Sequence, residues 1–308
     1  MIKETSGDFA PWDFLNVGLI QTNLKASAAW RQGVGPPMHA LAQAKAWDEV
    51  QRSFSYFRAA EPKPHIILIP ELSVPRDRIR DLENAAKALG AVVIAGVDYR
   101  LDRTTRRVWN EAVLLIPEKW KNGERSRRLT SIVIGKTYPA KKEAADLANP
   151  KNGGWTFVRQ PHCWLFDGAE AGRFGVSICY DFLDLQRALL YKELVQHLFV
   201  ISYNRDTDSF LHTAESLART MYCNVVICNT GFHGGSLAIT PYFDPWRRTV
   251  YRHNGNAMLS SQVIQLPVRR LIEAQAGQDP SGEFKSQPPG WRRGSSGKLK
   301  LEPMSKAL

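Results

Sequence analysis

Three polar residues of different chemistry each follow an apolar run of the chain. Glu71 follows HIILIP, Lys136 follows SIVIG, and Cys179 follows FGVSI. A thiol becomes a nucleophile when a base takes its proton or a charged partner stabilises the thiolate, and a carboxylate with an ammonium can do both. The carboxylate can then protonate a departing nitrogen and later activate water, while the ammonium and the backbone N–H of Tyr180 stabilise an oxyanion. These residue types could therefore perform acyl transfer without a metal.

Each of these residues also has an ordinary structural interpretation. Glu71 precedes a predicted helix, where the helix dipole favours a carboxylate. Lys136 could be a surface lysine, with Lys141 and Lys142 close to it in the chain. Cys179 could be a core thiol, because free cysteine is among the most buried residue types. The catalytic interpretation requires that all three lie at one edge of the fold.

The elements that would position these residues alternate along the chain. Apolar runs near the roughly five-residue length of strands are rich in Val and Ile. Apolar spacings of three and four predict helices through residues 47–57 and 79–89, with Gly90 as a C-cap, and further helices over 184–196 and 211–222. Strands that alternate with helices predict an α/β domain, in which functional groups gather where strands end. The strand-like runs are 17–20, 65–69, 91–97, 112–116, 131–134, 174–178, 198–202 and 225–228.

The length and composition are those of a globular chain with a large core. The 308 residues are 44% hydrophobic, and no change in composition divides the middle of the chain. We predict an extension over residues 1–14, one domain over 15–270, and a flexible basic tail over 271–308. The tail is predicted because the stretch from Gln278 to Ser296 is rich in Gly, Pro and Ser and cannot bury much surface.

The positive charge of the chain raises the question of a nucleic-acid partner. The formal net charge is +11, and clustered Lys and Arg side chains are attracted to phosphate. The cations are nevertheless spread along the chain. The densest segment, Lys119 to Arg128, is interrupted by Glu124 and is predicted to be a solvated loop.

Cysteine spacing and hydropathy bear on metals and on the cellular compartment. The four cysteines form neither a CxxC pair nor a Cys/His ligand pattern, so no zinc site, disulfide framework or cofactor is predicted. No apolar run reaches the roughly 20 residues of a membrane span, and the first residues lack a signal-peptide pattern. We expect a cytoplasmic protein with free thiols.

The surroundings of the three residues resemble the nitrilase, or carbon–nitrogen hydrolase, superfamily. They read ILIPEL, VIGKTYPAKKE and GVSICYD, and the catalytic residues of that family are Glu, Lys and Cys in this chain order. The segment LARTMYCNVVICNTGFHGGSLAITPYF is similar to the family's stretch of Arg, small residue, strand, Asn, Gly, Gly-Ser and Pro. VGLIQTNL looks like the family's first strand, so the similarity spans about residues 15–265.

The resemblance implies a fold and a set of roles. The fold is a four-layer αββα sandwich with two six-stranded mixed sheets packed face to face, and the subunits pair into a homodimer or larger homo-oligomer. Glu71 is the base, Lys136 stabilises the oxyanion, and Cys179 is the nucleophile that forms a thioester. Many members carry a second glutamate that positions the lysine, and Glu143 is the matching residue here.

The residues after Cys179 indicate the substrate class. Tyr180 and Asp181 are similar to many amide- and carbamoyl-cleaving members, whereas nitrile-cleaving members usually carry Trp-Glu. The next positions, Asp184 to Arg187, read DLQR and lack the Pro-Glu that often follows in small-amide members. We therefore predict hydrolysis of a small non-peptide amide, ureido or N-carbamoyl compound, and the specificity of a particular amidase group does not carry over. The sequence does not decide between hydrolysis, acyl transfer to an amine and supply of ammonia to another domain.

Four further residues are candidates for substrate binding. Asn204 and Arg205 lie in YNRDTDSF, where the family commonly shows small or aromatic residues. Arg205 could grip an anionic part of the substrate through its fork of donors, or it could pair with Asp206 or Asp208. We interpret His233 as a pocket wall or structural donor because Glu71 can serve as the base. Tyr138 could line the pocket or belong to the core. The four candidates are Tyr138, Asn204, Arg205 and His233.

A second function is compatible with the same sequence. The basic charge, the polar loop after residue 202 and the predicted tail are also typical of a nitrilase-like binding or assembly module of a larger, nucleic-acid-associated system. The presence of all three catalytic residue types weighs against a module without activity. Salt-sensitive binding of RNA or DNA without hydrolysis would favour it.

Overall fold

The computed structural model describes residues 10–30 and 35–291. None of the helices in these two ranges is long and apolar enough to cross a lipid bilayer. The strands are β1 Phe14–Gln21, β2 Ile66–Val74, β3 Val92–Asp102, β4 Arg107–Pro117, β5 Leu129–Gly135, β6 Thr156–Phe157, β7 Leu165–Asp167, β8 Arg173–Ile178, β9 His197–Ser202, β10 Asn224–Asn229, β11 Ser236–Ile239, β12 Thr249–His253 and β13 Ser260–Pro267. The helices are α1 Ala26–Ala29, α2 Ala40–Ala59, α3 Ile79–Leu89, α4 Lys141–Ala148, α5 Leu185–Tyr191, α6 Thr207–Leu217, α7 Pro245–Arg248 and α8 Arg269–Gln275.

The strands form two mixed sheets. The first has the order β13-β1-β2-β3-β4-β5, with the short β6 paired to β4 as a seventh strand, and the second has the order β12-β11-β10-β9-β8-β7. In the first sheet, β1, β2 and β3 are parallel. β5 runs in the same direction as these strands because β4 is antiparallel to both β3 and β5. In the second sheet, β8, β9 and β10 are parallel. Each predicted strand-like run matches one of these strands, and the runs 65–69 and 91–97 begin one residue before β2 and β3.

The two sheets pack face to face between layers of helices. Successive side chains of a strand point to opposite faces of the sheet, and β2 has buried apolar side chains on both faces. Ile66 and Leu68 belong to the core shared with the second sheet, whereas Ile67 and Ile69 pack with side chains of α2 and α3. Helix α6 contacts β10 and β11 of the second sheet. The predicted four-layer sandwich is therefore confirmed, with one sheet larger by the short strand β6.

Helix boundaries follow local capping chemistry. Helix α3 ends at Leu89, and Gly90 has φ 70°, as predicted for a C-cap. Helix α6 begins earlier than predicted because the Asp206 side chain accepts a hydrogen bond from the Ser209 backbone N–H. Helix α5 is shorter than predicted and ends at Tyr191; Glu193 then has φ 68°, which is outside the helical region.

The described part of the predicted tail packs against the domain. Phe284 and Trp291 are buried; the Phe284 ring stacks on Tyr242 at 4.9 Å between centroids, and Trp291 lies edge-on to Tyr222 at 5.5 Å. These aromatic rings supply the apolar area that Gly, Pro and Ser lack. The structure thus differs from the flexible tail expected for residues 271–291, and residues 1–9 and 292–308 lie outside the described ranges.

The basic segment between β4 and β5 is a loop, as predicted. Lys119 forms an exposed ion pair with Glu124 at 3.3 Å. Trp120 is buried and anchors the loop to the core.

One buried histidine links β9 to β10. His197 is fully buried; its Nε2 lies 3.0 Å from the Ala171 carbonyl oxygen, and its Nδ1 lies 3.1 Å from Asn224 Nδ2. The carbonyl only accepts, so Nε2 carries the proton and Nδ1 accepts from the Asn224 amide. Burial lowers the pKa of His197 to about 4. A second proton would place a donor against the Asn224 amide, so the folded state requires the neutral ring.

We predict that His197→Gln makes the stability of the protein less dependent on pH. The pKa of His197 is near 6.5 in the unfolded chain and about 4 in the folded protein, so its contribution is complete above pH 6.5 and is lost as the pH falls toward 4. Between pH 7 and pH 5 the wild type should lose about 2 kcal/mol more unfolding free energy than the variant. Urea unfolding at both pH values measures this difference, and equal losses would contradict it.

Candidate active site

Glu71 lies at an irregularity in β2. The pairing of β2 with β3 shifts between Ile69 and Val74, and Leu72, directly after Glu71, has φ 56°. Gly96 of β3 approaches this kink so closely that a Cβ there would lie 2.3 Å from the Glu71 Cα. Glycine at position 96 therefore allows β2 to bulge where the carboxylate is presented.

Cys179 follows the last residue of β8 in a strained conformation. It has φ 48° and begins the 3-10 turn Cys179–Leu183. A positive φ is unfavourable for a residue with a Cβ, and such strain is concentrated at functional sites. The thiol is buried, with 7% of the residue exposed.

Lys136 follows the last residue of β5 and is held by backbone contacts. Its backbone N–H donates to the Asn110 carbonyl at 2.9 Å. The next two N–H groups, of Thr137 and Tyr138, donate to the Asp181 carboxylate at 2.9 and 2.8 Å. Asp181 lies two residues after Cys179, so this carboxylate joins the lysine loop to the cysteine turn.

Four side chains form a closed hydrogen-bonded ring, which we call the carboxylate ring. The Lys136 ammonium lies 2.7 Å from Glu71 Oε1 and 2.5 Å from Glu143 Oε2. The Asn110 Nδ2 donates to Glu71 Oε1 and to Glu143 Oε1, each at 2.8 Å. The other oxygen of Glu71, Oε2, accepts from the backbone N–H of Tyr203 at 3.0 Å. The structure thus brings together Glu71, Lys136 and the predicted second glutamate.

The charges of the ring are set by burial and proximity. Burial opposes the charge of Lys136, but Glu143 and Glu71 outweigh it and hold the lysine pKa well above its usual range. Burial acts to raise the pKa of Glu143, yet Lys136 lowers it overall. The Lys136 ammonium therefore stays charged between the two glutamates.

The Cys179 thiol is neutral in this environment. Burial raises its pKa well above the usual range, and the negative charge of the Glu71 carboxylate acts in the same direction. Lys136 acts against both but does not outweigh them. A free thiolate is therefore disfavoured in this environment.

The three charged side chains of the carboxylate ring, Glu71, Lys136 and Glu143, line one cavity of about 600 Å³ together with Cys179. This volume suits a small molecule. Its lining includes Trp30, Glu71, Tyr99, Lys136, Glu143, Cys179, Tyr203, Asn204, Arg205 and His233.

Of the four predicted substrate-binding residues, three line the cavity. Asn204 uses its side chain within its own loop, where Oδ1 accepts from the Asp206 N–H at 3.0 Å. His233 packs edge-on against Tyr203 at 5.4 Å between centroids and forms part of the wall. Tyr138 is not among the described residues that line the cavity; its ring lies 5.8 Å from the Arg159 guanidinium carbon.

Arg205 is exposed at the wall of the cavity and forms no ion pair with a described residue. Asp206 instead accepts hydrogen bonds from the backbone and hydroxyl of Ser209. The positive charge of Arg205 also contributes, after burial, to lowering the pKa of His233. The alternative in which Arg205 pairs with Asp206 or Asp208 is therefore absent from the described structure.

Sequence reasoning missed several residues that organise the site. Asn110 bridges the two glutamates, and the Tyr99 hydroxyl donates to Glu143 Oε1 at 3.1 Å. Asn229 holds two loops of the cavity wall, since its amide donates to the carbonyls of Asn204 and Gly234. The available signal for Asn110 was a polar pair, Asn110 and Glu111, directly before the apolar run of β4.

In the two described ranges, no group of three or more His, Cys, Asp or Glu side chains is arranged as a metal site.

Comparison by sequence finds no counterpart for this chain, whereas comparison by structure does. The chain matches no protein-family model, and no curated protein matches it significantly in sequence. Nit3 of Saccharomyces cerevisiae, a member of branch 10 of the nitrilase superfamily, is 16% identical, with 90% of this chain and 98% of Nit3 covered and a TM-score of 0.58.

Two bacterial structures show the same similarity. An amidase from Nesterenkonia sp. AN1 is 13% identical, with 88% of this chain and 98% of the amidase covered and a TM-score of 0.58. A CN-hydrolase superfamily protein from Xanthomonas campestris is 13% identical, with 86% and 95% covered and a TM-score of 0.55. The chain therefore has the same fold as these proteins, as the sequence predicted.

We predict that Asp181→Ala destabilises the protein much more than Asp184→Ala. The first change leaves the buried Arg187 without the carboxylate that lies 3.4 Å from it and removes the acceptor of two N–H groups. Loss of one partner of a buried pair costs about 3–5 kcal/mol. Asp184 only caps α5, and loss of a cap costs about 1 kcal/mol. Urea unfolding of both variants tests this order; similar losses would show that Asp181 does not join the two loops.

Proposed function

We propose that this chain, which has the fold of the nitrilase superfamily, is a carbon–nitrogen hydrolase that acts on a small non-peptide amide, ureido or N-carbamoyl compound. The observation that carries the proposal is the position of Cys179. Its neutral thiol and the Glu71 carboxylate, which lies 2.7 Å from the Lys136 ammonium, line the same cavity. This arrangement provides a nucleophile, a base and a fixed positive charge.

In the first step, the Cys179 sulfur attacks the carbonyl carbon of the substrate. As the C–S bond forms, the thiol proton passes to Glu71, so no free thiolate accumulates. The raised pKa of the thiol supports this order, because burial and Glu71 disfavour a thiolate before the substrate is attacked.

The negative charge that develops on the carbonyl oxygen requires donors. The Lys136 ammonium has three N–H bonds, and Glu71 and Glu143 accept from it in the resting site. The remaining N–H is available to the oxyanion, and the backbone N–H of Tyr180 is the second proposed donor. Glu143 has the role of holding the ammonium in place.

The tetrahedral intermediate then loses its nitrogen. Glu71 returns the proton to the departing nitrogen, the C–N bond breaks, and ammonia or an amine leaves a thioester on Cys179. Glu71 next takes a proton from water, which attacks the thioester carbon. The C–S bond breaks, the acid is released, and the proton returns to the thiol, so one water is consumed for each C–N bond cleaved.

The structural neighbours support a reaction at cysteine. The Nesterenkonia amidase structure contains a covalent addition of the acetamide moiety of fluoroacetamide at its active-site cysteine. Tyr180 and Asp181 favour the same substrate class in this chain. Asp181 also ties down the lysine loop, so its identity matters to the geometry of the site.

We further propose that the substrate carries an anionic group that Arg205 binds. Its guanidinium is at the cavity wall and is not neutralised by a described carboxylate. The planar fork of an arginine matches a carboxylate in geometry as well as charge.

The predicted homodimer is supported by an exposed apolar surface next to the cysteine turn. Leu185, Leu189 and Leu190 of α5 are 71, 60 and 53% exposed. Such a surface favours association with another chain.

We expect wild-type protein to release ammonia or an amine from at least one member of a panel of small amides, ureido and N-carbamoyl compounds. Cys179→Ser should abolish this activity, because a hydroxyl is a much weaker nucleophile than a thiol at this site. Glu71→Gln should reduce it by at least about 100-fold, because the base is lost. Intact-mass spectrometry should show an acyl adduct on wild-type protein and none on the serine variant.

The matched control is Cys163→Ser, which replaces an exposed free cysteine and should leave activity unchanged. If no compound is hydrolysed and Cys179 resists alkylation, the hydrolase proposal fails. Salt-sensitive binding of RNA or DNA would then favour the binding module.

We expect Arg205→Ala to raise KM for anionic substrates by about tenfold and to leave KM for neutral amides nearly unchanged. An ion pair with a partly exposed arginine contributes about 1 kcal/mol or slightly more, which corresponds to this factor. Steady-state kinetics on matched acid and amide forms of one substrate measure the effect. Arg58→Ala, in the last turn of α2, is the control, and an equal loss on both substrate forms would overturn the role of Arg205.

A further inference from the structure

We propose that Asn110 is a positioning residue that acts through Glu71 and Glu143. Its amide bridges the two carboxylates by donating to one oxygen of each. This leaves Glu71 Oε2 as the atom that takes the Cys179 proton. This inference rests on the proposed function, in which Glu71 is the base.

The geometry of the amide is defined by its two neighbours. Asn110 is 1% exposed, and its Nδ2 lies 2.8 Å from an oxygen of each glutamate. Carboxylate oxygens only accept when ionised, so the nitrogen and not the oxygen of the amide must face them. Each of the two amide hydrogens is therefore committed to a different glutamate.

The other end of the same amide is unsatisfied. Asn110 Oδ1 is buried without a hydrogen-bond partner in the described structure. An unpaired buried acceptor is unfavourable and is uncommon in folded proteins. The fold thus tolerates an unsatisfied oxygen to keep the two N–H donors on the glutamates, which indicates that these donors have a use beyond packing.

The consequence for Glu71 follows from its lone pairs. Oε1 accepts from both Lys136 and Asn110, which occupies its two acceptor positions. Oε2 accepts from the Tyr203 N–H, which leaves one position for the thiol proton. Without Asn110, Oε1 would have a free position, and Glu71 could rotate or share a proton with Glu143.

The two glutamates also repel each other across the ring. Lys136 compensates this repulsion with charge, and Asn110 does so with a neutral donor that cannot itself be deprotonated. Each of these two side chains directs an N–H donor at both carboxylates, and an ionised carboxylate is the form that can accept a proton. The titratable or charged groups around Glu71 are Tyr99 on β3, Lys136 after β5, Glu143 on α4, Cys179 and Asp181 after β8, and Tyr203 after β9.

The test uses full-length protein and iodoacetamide, a small amide-like alkylating reagent that needs no knowledge of the substrate. The rate of Cys179 alkylation is measured against pH by mass spectrometry of the Cys179 peptide. In wild type, the rate should fall toward low pH with one midpoint, as expected for a thiol that reacts only when a base takes its proton. Asn110→Leu, which has similar volume but no donor, should move the midpoint of this fall to higher pH by about one unit.

Two further variants make the result specific. Asn110→Asp keeps the shape of the side chain and replaces the donors with a third acid, so it should move the midpoint upward at least as far. Tyr99→Phe removes only the donor to Glu143 and should move it by less than half as much. Urea unfolding of each variant establishes that it is folded at the pH of measurement.

The outcomes separate this inference from the proposed function. If Cys179 in wild type reacts with an acid-side midpoint that neither Asn110 variant moves, the positioning role is overturned while the hydrolase proposal stands. A shift in Tyr99→Phe equal to that in Asn110→Leu would also overturn it. If wild-type Cys179 shows no selective alkylation, the role of Glu71 as its base fails, and the inference fails with it.

Discussion

The buried ammonium of Lys136 is the constraint on which the rest of the site depends. The residue is 1% exposed, and a charge removed from water costs several kcal/mol unless partners compensate it. Two carboxylates lie within 2.7 Å of its nitrogen. Glu143 lies seven residues after the lysine in the chain, whereas Glu71 lies 65 residues before it. Full compensation therefore occurs only when β2 packs beside the lysine loop.

The same constraint explains the polar contacts that surround the ring. Asp181 fixes the backbone after Lys136, and the Lys136 carbonyl accepts from the Gln160 N–H at 3.2 Å. Glu111, the neighbour of Asn110 on β4, accepts from Gln160 at 3.1 Å and from Arg76 at 2.9 Å. Burial acts to raise the pKa of Glu111, but the two arginines beside it lower the value overall. Two consecutive residues of β4 thus support the site. Asn110 bonds to the two glutamates of the ring, and Glu111 bonds to Gln160 and Arg76.

The reactivity proposed for Cys179 follows from this arrangement of charge. Two glutamates and one lysine leave the ring with one net negative charge, and a thiolate beside it would add a second. The cysteine is therefore neutral at rest, and its strained backbone, with φ 48°, holds the sulfur at the cavity. Reaction requires that a proton moves to Glu71 at the moment when charge moves to the substrate oxygen.

Much of the fold was predictable because its central strands are continuous apolar runs. β2, β9 and β10 are buried along their whole length, and such segments give a strong signal. Strands β6, β7, β11, β12 and β13 were not predicted. β6, β7 and β11 are short, and β12 and β13 contain exposed polar residues. The described part of the tail was expected to be flexible because it is rich in Gly and Pro. It also contains two aromatic side chains, Phe284 and Trp291, which are buried in the structure.

For the site, the sequence by itself determined which chemical groups follow apolar runs of the chain: Glu71, Lys136 and Cys179, with Glu143 suggested by resemblance. The structure shows that Glu71 lies within β2, at its irregularity, and not after the end of the strand. It could not show that Asn110 bridges two glutamates or that Arg205 has no described carboxylate partner. Only the tertiary structure decided these points, together with the protonation of Cys179. Hydrogen bonds and pKa values depend on distances of a few ångströms between groups that are far apart in the chain, and a sequence pattern records neighbours along the chain only.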